Sequence, residues 1–427
     1  MQEAFLHHLW KYQLIHQQHL TTTDGEVVEI ISPGIHNKHA GPDFLNAKIK
    51  LGQTIWAGNV EIHQCSSEWE KHGHHRDKAY NNVILQAVYR NDKTVRRANG
   101  ELLPTLLLSF DEKLLHTYES LQNNEKWIPC QNEITSVNPL AIAHWLERIS
   151  IERLVSKTRT IETAFKQNNN NWEETFYQKT VRSFGLKINA DPFEMLARSI
   201  PHKILIRHKN SLFQLEALLF GQAGFLDDNT IMDEYYASLQ KEYHFLGHKY
   251  KLQPIEVHLW KFLRLRPVNF PTIRIAQLAA LFHHSSALFS EIIHLNKSKD
   301  IFHYFNVSPS TFWYNHYTFR KDSPEKLKKT GKAFINSLII NTIVPFVFYY
   351  GEYKKIQQYK DNAIQIIESL PPEHNVIIKN WHNLGIQASN ALNSQALIEL
   401  KNRYCDKKKC LDCEIGSQII SLAKPEY

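Results

Sequence analysis

The sequence contains little cysteine. Only five cysteines occur among 427 residues, an odd number, and three of them fall within the last 25 residues. Proteins that depend on disulfides for stability are usually small, secreted and much richer in cysteine. The count therefore argues against a disulfide framework, and we expect a reducing, cytoplasmic location.

The sequence also lacks a long uninterrupted apolar run. Its start, "MQEAFLHHLWKYQLI", mixes Glu3, two histidines and Lys11 with apolar residues, unlike a signal peptide. The most hydrophobic stretch, "AFINSLIINTIVPFVFYYG", is interrupted by three polar residues and a proline, whereas a bilayer helix needs about 20 predominantly apolar residues. We expect a buried helix there, no membrane association and, since no period stands out, no solenoid.

What is present is the composition of a folded protein with a basic surface. Apolar residues make up 43% of the chain and charged residues 22%, which is typical of soluble globular proteins. The formal net charge is +7 and the isoelectric point is near 8.9. This charge permits an acidic partner such as DNA or RNA, and it leaves the oligomeric state open.

The chain changes character after its first quarter. Apolar residues at helical spacing open the sequence, and the segments that follow alternate as strands do, which predicts the order α-β-β-β-α-β-β. Long helical patterns dominate from residue 111 onward. We expect an α+β fold with an α/β domain over residues 1–110, a helical region over 111–250 and a helical region with a cysteine cluster over 251–427.

The hairpin "GPDFLNAKIKLGQTIWAGNVEIHQ" carries the clearest chemical signal. Side chains alternate along a strand, so Glu61 and His63 share one face and Val60 and Ile62 the other. If the hairpin turns near Gly52, Asp43 returns beside Glu61. Two carboxylates so close together require a cation or a proton between them, and Mg²⁺ or Mn²⁺ suits oxygen ligands. The alternative is the polar face of an ordinary hairpin.

These residues resemble the motif of the PD-(D/E)xK nuclease superfamily. Pro42-Asp43 opens one strand and Glu61-Ile62-His63 ends the next, within the order α-β-β-β-α-β. The resemblance implies that Asp43, Glu61 and the carbonyl of Ile62 hold a divalent ion. His63 stands where the superfamily usually has a lysine that orients or activates the attacking water. Its role is open among neutral base, third ligand and, when protonated, stabiliser of phosphoryl charge.

A second resemblance spans most of the chain. The segments "GPDF", "GNVEIH", "RPVNFPTIRIAQLA" and "YCDKKKCLDCEIG" are similar to those of an uncharacterised bacterial domain-of-unknown-function family, family 2851. This resemblance implies no established activity.

The segment after the hairpin offers candidate substrate contacts. If "SSEWEKHGHHRDKAY" forms one short helix, His72, Arg76 and Tyr80 share a face. Helicase-linked nucleases of the superfamily have a Gln-x-x-x-Tyr motif on this helix that touches DNA, and Arg76 to Tyr80 has the same spacing with Arg in place of Gln. Asn37 lies in the loop just before Asp43. The alternatives are a solvated helix face and a zinc site that uses His72 with His74 and Asp77.

A basic segment in the second half of the chain offers further contacts. "RLRPVNFPTIRIAQLAALF" contains Arg264, Arg266 and Arg274, which can grip phosphates while Phe270 stacks on a base. The alternative is a pair of helices with ordinary surface arginines.

The terminal segment "CDKKKCLDC" has the spacing of a metal site. Cys405, Cys410 and Cys413 form a C-x₄-C-x₂-C pattern, and three thiolates need a fourth ligand. Cys130 is the first candidate and Cys65 the second, for zinc or a [4Fe–4S] cluster. Some PD-(D/E)xK exonucleases carry such a cluster on one distant and three C-terminal cysteines, although there the distant cysteine precedes the nuclease core. The alternative is a set of reduced cysteines made reactive by three lysines.

Three functional readings follow from these patterns. The leading one is a metal-dependent nuclease in which Asp43 and Glu61 bind Mg²⁺ or Mn²⁺, His63 handles the water and the helical region holds nucleic acid. The second is a nucleic-acid-binding or assembly protein that keeps the nuclease scaffold without catalysis. The third is a structural protein whose tail is clipped by zinc.

Overall fold

The computed structural model describes residues 2–285 and 287–423, which form a mixed β-sheet and many helices. The strands are β1 (Val28–Ser32), β2 (Ile35–His36), β3 (Phe44–Leu51), β4 (Thr54–Cys65), β5 (Val83–Arg90), β6 (Thr105–Leu107), β7 (His316–Thr318) and β8 (Lys321–Asp322). The helices before residue 210 are α1 (Glu3–Lys11), α2 (Glu68–Lys71), α3 (Glu112–Asn123), α4 (Pro139–Gln167), α5 (Trp172–Phe184), α6 (Ala190–Ser199) and α7 (His202–Arg207).

Helices continue to the C-terminal end of the described chain. They are α8 (Leu212–Gln222), α9 (Glu234–Tyr250), α10 (Pro271–His284), α11 (Leu288–Ile292), α12 (Ser298–Phe305), α13 (Lys332–Leu338), α14 (Val344–Lys354), α15 (Gln357–Glu368), α16 (Val376–Asn383), α17 (Ala391–Glu399) and α18 (Glu414–Leu422). The predicted α+β class, with a sheet near the N-terminus and a mostly helical remainder, is confirmed.

The chain forms two compact units. One takes in the residues up to Leu146, Asn383–Gly385 and the segment from Glu399 onward, and the other takes in Glu147–His382 and Ile386–Ile398. The predicted boundaries at residues 110 and 250 stay predictions. The first unit contains the sheet and the C-terminal cysteines, so residues far apart in sequence share one unit.

The sheet of the first unit has the strand order β1-β3-β4-β5-β6. The short strand β2 pairs with the first two residues of β3, Phe44 and Leu45. β3 pairs antiparallel with β1 and with β4, whereas β5 pairs parallel with β4 and with β6. The β3–β4 hairpin turns at Gly52 with φ of 56°, a left-handed value that glycine adopts without strain. The turn lies where the sequence predicts it.

Helix α1 covers one face of this sheet. Its apolar residues Phe5, Leu6, Leu9 and Trp10 recur at three- and four-residue intervals and are all fully buried. Burying each such side chain contributes roughly 1.5–3 kcal/mol. The packing fixes α1 against β4 and so fixes the polar residues on the same helix.

The predicted helix after β4 is broken. α2 ends at Lys71, and Gly73 follows with φ of 78°, so that only short 3₁₀ turns cover His74–Arg76 and Lys78–Tyr80. The expectation that His72, Arg76 and Tyr80 share a helical face is therefore wrong. The left-handed glycine redirects the chain and turns His74 back toward β4.

The second unit packs its helices around an apolar core. It includes the helical segment Lys332–Lys354, which contains a π-helical turn at Ile339–Ile343 and is by length and composition apolar enough to cross a membrane. Within its most apolar 18-residue window, 72% is buried inside the protein. This burial agrees with the expectation of a core helix.

Candidate metal centre

Asp43 and Glu61 lie directly opposite each other on β3 and β4. The antiparallel register pairs Phe44 with Val60, which aligns Asp43, just before β3, with Glu61. The amide of Asp43 donates to Oε2 of Glu61 at 3.1 Å, and the amide of Ile62 donates to Oδ2 of Asp43 at 2.9 Å. These crossed hydrogen bonds hold two carboxylates side by side.

The two carboxylates differ in their electrostatic environment. Burial alone would raise the pKa of Asp43, but the adjacent His7, the amide of Ile62 and His63 together hold the pKa below its usual value. Burial raises the pKa of Glu61 above its usual value, the charge of Asp43 adds to the rise, and His74 only partly offsets it. The pKa of Asp43 is thus lowered and that of Glu61 raised, so a nearby cation would favour the ionised form of Glu61.

The first side of the pair is formed by helix α1. Nε2 of His7 lies 3.3 Å from Oδ2 of Asp43, and Glu3 lies one helical turn away. A potential ligand atom from each of Glu3, His7 and Asp43 lies within 4.8 Å of the other two. The sequence reasoning missed Glu3 and His7, although their four-residue spacing places both on one polar stripe of an otherwise apolar helix.

The second side of the pair is formed by histidines. Oε1 of Glu61 lies 3.1 Å from Nε2 of His74 and 3.6 Å from Nε2 of His63. His72 approaches the same two rings, and a potential ligand atom from each histidine lies within 4.8 Å of the others. His63 is fully buried and His72 is exposed. The three histidines therefore extend from the interior of the first unit to its surface.

Gln86 sets the hydrogen-bonding state of His63. Nε2 of Gln86, on β5, lies 3.0 Å from Nδ1 of His63 and 3.2 Å from the carbonyl oxygen of Ser66. A carbonyl only accepts, so the Gln86 nitrogen faces both groups and donates to His63. Burial, with the neighbouring His74 and His72, lowers the pKa of His63 to about 4. At neutral pH the ring is uncharged, and its Nε2–H is directed toward Glu61.

Tyr80 and Asn37 support this centre. The ring of Tyr80 stacks on His74 with a centroid distance of 3.8 Å. The side chain of Asn37 donates to the backbone of its own loop, including the carbonyl of Pro42 at 3.0 Å. The backbone N–H of Asn37 donates to the carbonyl of Asp43 at 2.7 Å. Both residues were predicted to contact substrate, and in the structure they hold His74 and Asp43 in place.

Of the four arginines predicted to contact substrate, three are exposed and one is buried. Arg76 is exposed at the surface of the first unit, and Arg264 and Arg266 are exposed in the second unit. Arg274 is 4% exposed, stacks on Phe334 and donates to Asn269 and Gln277. Its expected contact with nucleic acid is therefore corrected to a role in the core.

A basic pocket of about 320 Å³ adjoins α1. It is lined by His7 and His8 and by five lysines, namely Lys11, Lys38, Lys407, Lys408 and Lys409. One acidic residue, Asp412, also lines it and forms an ion pair with Lys38 at 3.4 Å. Because His7 contacts Asp43, the basic pocket lies next to the carboxylate pair.

Four of the five cysteines meet in the first unit. Cys130, Cys405, Cys410 and Cys413 line one small pocket together with Pro129 and Gly416. Cys65 lies apart on β4, where its sulfur accepts a hydrogen bond from Arg90 at 3.3 Å. Cys130, the first candidate for a fourth ligand, thus lies with the three C-terminal cysteines.

Comparisons with known proteins identify a family but no activity. A family model described as a protein of unknown function matches residues 3–376, which leaves the three C-terminal cysteines outside the match. A search of curated proteins and a search of solved structures each found no match. Since the family match covers well over half of the sequence, the chain belongs to the DUF2851 family.

Proposed function

We propose that the protein is a divalent-metal-dependent nuclease that hydrolyses phosphodiester bonds. The observation that carries this proposal is the crossed pairing of Asp43, just before β3, with Glu61 on β4. The parallel pairing of β4 with β5, which brings Gln86 behind His63, also supports a built centre rather than a surface hairpin. A hairpin with an ordinary polar face would not bury Glu61 to 5% exposure.

The residues present fit a divalent ion. Nε2 of His7 lies 3.3 Å from Oδ2 of Asp43 and Nε2 of His74 lies 3.1 Å from Oε1 of Glu61, and both nitrogens are buried without a hydrogen bond of good geometry. Asp43 and Glu61 would hold the ion, and His7, whose potential ligand atom lies within 4.8 Å of those of Asp43 and Glu3, would supply a nitrogen ligand. Carboxylates with imidazole favour Mn²⁺ or another transition metal over Mg²⁺. A bound divalent ion polarises a phosphoryl oxygen and acidifies water.

The protein's own groups have distinct tasks in this proposal. His63 supplies a neutral N–H donor in the place where the superfamily has lysine, because Gln86 occupies its Nδ1. A fixed donor can orient a water or bind a phosphoryl oxygen without a change of charge. This neutral donor role differs from all three roles that the sequence left open, namely neutral base, metal ligand and protonated stabiliser of phosphoryl charge, and the hydrogen bond from Gln86 favours it.

The basic pocket supports nucleic acid as the substrate. Its lysines present positive charge beside His7, and a phosphate backbone binds to such charge without regard to base sequence. His7 lines this pocket and contacts Asp43, and its side chain is 18% exposed. We propose that the phosphodiester approaches along this side.

Conservative replacements of the two carboxylates test the proposal. The full chain is assayed with Mn²⁺ or Mg²⁺ on end-labelled single-stranded and double-stranded DNA and RNA. We expect Asp43→Asn and Glu61→Gln each to lower the cleavage rate by more than about 100-fold, since even residues that only support a metal ligand contribute 10- to 100-fold.

A matched control is Glu29→Gln on β1. The carboxylate of Glu29 is 66% exposed, and its ion pair with Lys50 is long, at 3.9 Å. This variant should cleave at the wild-type rate. Cleavage that persists in both site variants would overturn the assignment. Binding of nucleic acid without cleavage in the wild type would instead support the non-catalytic alternative.

A further inference from the structure

We infer that Cys130, Cys405, Cys410 and Cys413 hold an iron–sulfur cluster. The four residues come from two segments about 275 residues apart, yet they line one pocket in the first unit. Four thiols that converge from distant segments are the usual ligand set of zinc or of an iron–sulfur cluster. The distances between the sulfur atoms and the surrounding residues separate these two choices.

Each cysteine is placed by a local backbone device. Cys405 ends a π-helical turn, Leu400–Cys405, and Cys410 begins a 3₁₀ turn, Cys410–Asp412. Cys413 directly precedes α18, and Cys130 lies in the turns after α3. The C-x₄-C-x₂-C spacing of the last three is one that iron–sulfur proteins use.

The sulfur atoms are too far apart for one zinc ion. A tetrahedral zinc holds each sulfur at about 2.3 Å, which brings every pair of sulfurs to within about 4 Å of each other. Among the described residues, the groups of three or more potential ligand atoms within 4.8 Å of one another consist of histidines and carboxylates, and the four cysteine sulfurs do not form one. A cluster spaces its ligands more widely, because they bind different iron atoms.

The surroundings favour a buried group that accepts hydrogen bonds. Cys410 and Cys413 are each 7% exposed. The amides of Ile415 and Gly416, in the first turn of α18, donate to the sulfur of Cys413. Amide hydrogen bonds to sulfur are a main means by which proteins stabilise and tune such clusters.

The cluster would hold the C-terminal segment against the metal centre. Three of the five lysines of the basic pocket lie between Cys405 and Cys410, and Nε2 of Gln122 on α3 donates to the carbonyl of Lys408 at 2.9 Å. On α1, His8 and its neighbour His7 line the same pocket as Leu411 of this segment. This positioning role rests on the proposed function, whereas the cluster itself does not.

Metal and sulfide analysis of the full chain tests the inference without any activity assay. The protein is purified without oxygen from iron-supplemented cells, and iron, zinc and acid-labile sulfide are measured per chain. We expect equal amounts of iron and sulfide, and a broad visible absorption that bleaches on reduction with dithionite. Zinc as the sole metal, or no cluster even after anaerobic reconstitution with ferrous iron and sulfide, would overturn the inference.

Single serine variants identify the ligands. Cys130→Ser and Cys413→Ser should each lose most of the iron, and Cys65→Ser is the matched control that should keep it. Each variant is also reconstituted, and its circular dichroism is compared with that of the wild type, so that loss of a ligand is distinguished from loss of the fold. A Cys130→Ser protein that is folded and retains the full amount of iron would contradict the four-cysteine set.

Discussion

At the scale of single residues, the centre depends on groups that the interior leaves only partly satisfied. Nε2 of His63 and Oε1 of Gln86 are both buried without a hydrogen-bond partner. Leaving such groups unpaired costs about 1–3 kcal/mol each, so they persist where function requires them. Gln86 is the one strongly polar side chain within the six buried residues that begin β5, and that isolation is a sequence signal that could have identified it.

Replacing Gln86 tests whether it positions His63. Gln86→Leu removes the donor to Nδ1 of His63 and to the carbonyl of Ser66, so His63 can adopt its other tautomer. We expect a cleavage rate lower by about 10-fold or more, and a changed ¹⁵N chemical-shift pattern of His63 in nuclear magnetic resonance spectra. Gln53→Leu, at the exposed hairpin turn, is the control. An unchanged His63 tautomer in Gln86→Leu would refute the positioning role.

At the scale of secondary structure elements, close backbone approaches fix the two candidate sites. The turn at Gly73 presents His74 to Glu61, and the start of α18 packs against the Cys410 turn. A Cβ atom at Gly416 would lie 2.3 Å from the carbonyl oxygen of Cys410, which real contacts do not allow. Glycine at this position is therefore a condition for bringing Cys410 and Cys413 together.

Gly416→Ala should accordingly disturb the cysteine pocket. The added methyl group forces α18 away from Cys410, and overpacking of this kind costs about 1–3 kcal/mol. We expect a lower melting temperature and less bound iron per chain. Gly331→Ala is the control for iron content, because a Cβ there meets nothing within 4 Å. Since Gly331 is the N-cap of α13, its replacement by alanine lowers the melting temperature for a reason unrelated to the cysteines. Equal iron content in both variants would show that the approach is unimportant.

The buried carboxyl of Glu216, on α8 and in contact with Tyr235 of α9, predicts that the stability of the protein depends on pH. Burial raises the pKa of Glu216 from its ordinary value of 4.5 to about 7, despite hydrogen bonds from Tyr235 and Ser310. The folded state thus favours the neutral carboxyl. Its contribution to stability is complete below pH 4.5 and is lost as the pH rises through about 7.

Glu216→Gln should remove this dependence. Between pH 4.5 and pH 7 the free energy of unfolding of the wild type should fall by up to about 3 kcal/mol relative to that of the variant. Urea denaturation at several pH values measures the difference. The control is Glu325→Gln at an exposed position, which should follow the wild type. Parallel curves for wild type and Glu216→Gln would contradict the raised pKa.

At the scale of the whole molecule, local patterns in the sequence predicted more than distant contacts did. The α+β class, the turn at Gly52 and the pairing of Asp43 with Glu61 follow from hydrophobic periodicity and strand alternation. His7 and Gln86 were missed because α1 and β5 meet the hairpin only through tertiary packing. Arg274 was misassigned because a positive charge in the sequence does not reveal burial, and the break at Gly73 was underestimated because glycine is tolerated in helices at modest cost.

The net positive charge of the chain, +7, predicts that its affinity for nucleic acid depends on salt concentration. If the basic pocket binds a phosphate backbone, Lys407→Ala with Lys409→Ala should weaken binding of DNA and RNA of any sequence. The slope of log affinity against log salt concentration should decrease by about one to two units. Binding is measured by fluorescence anisotropy. The same double change at Lys326 and Lys329, exposed lysines of the second unit, should alter neither quantity if the pocket is the binding site.

The most direct test of the central claim is a double-mutant cycle on the carboxylate pair. Cleavage rates are measured with Mn²⁺ for wild type, Asp43→Asn, Glu61→Gln and the combined variant. Residues that hold one ion act as a unit, so we expect the combined variant to be no slower than the slower single variant. Losses that multiply in the combined variant, or a single variant with the full wild-type rate, would contradict a shared metal between Asp43 and Glu61.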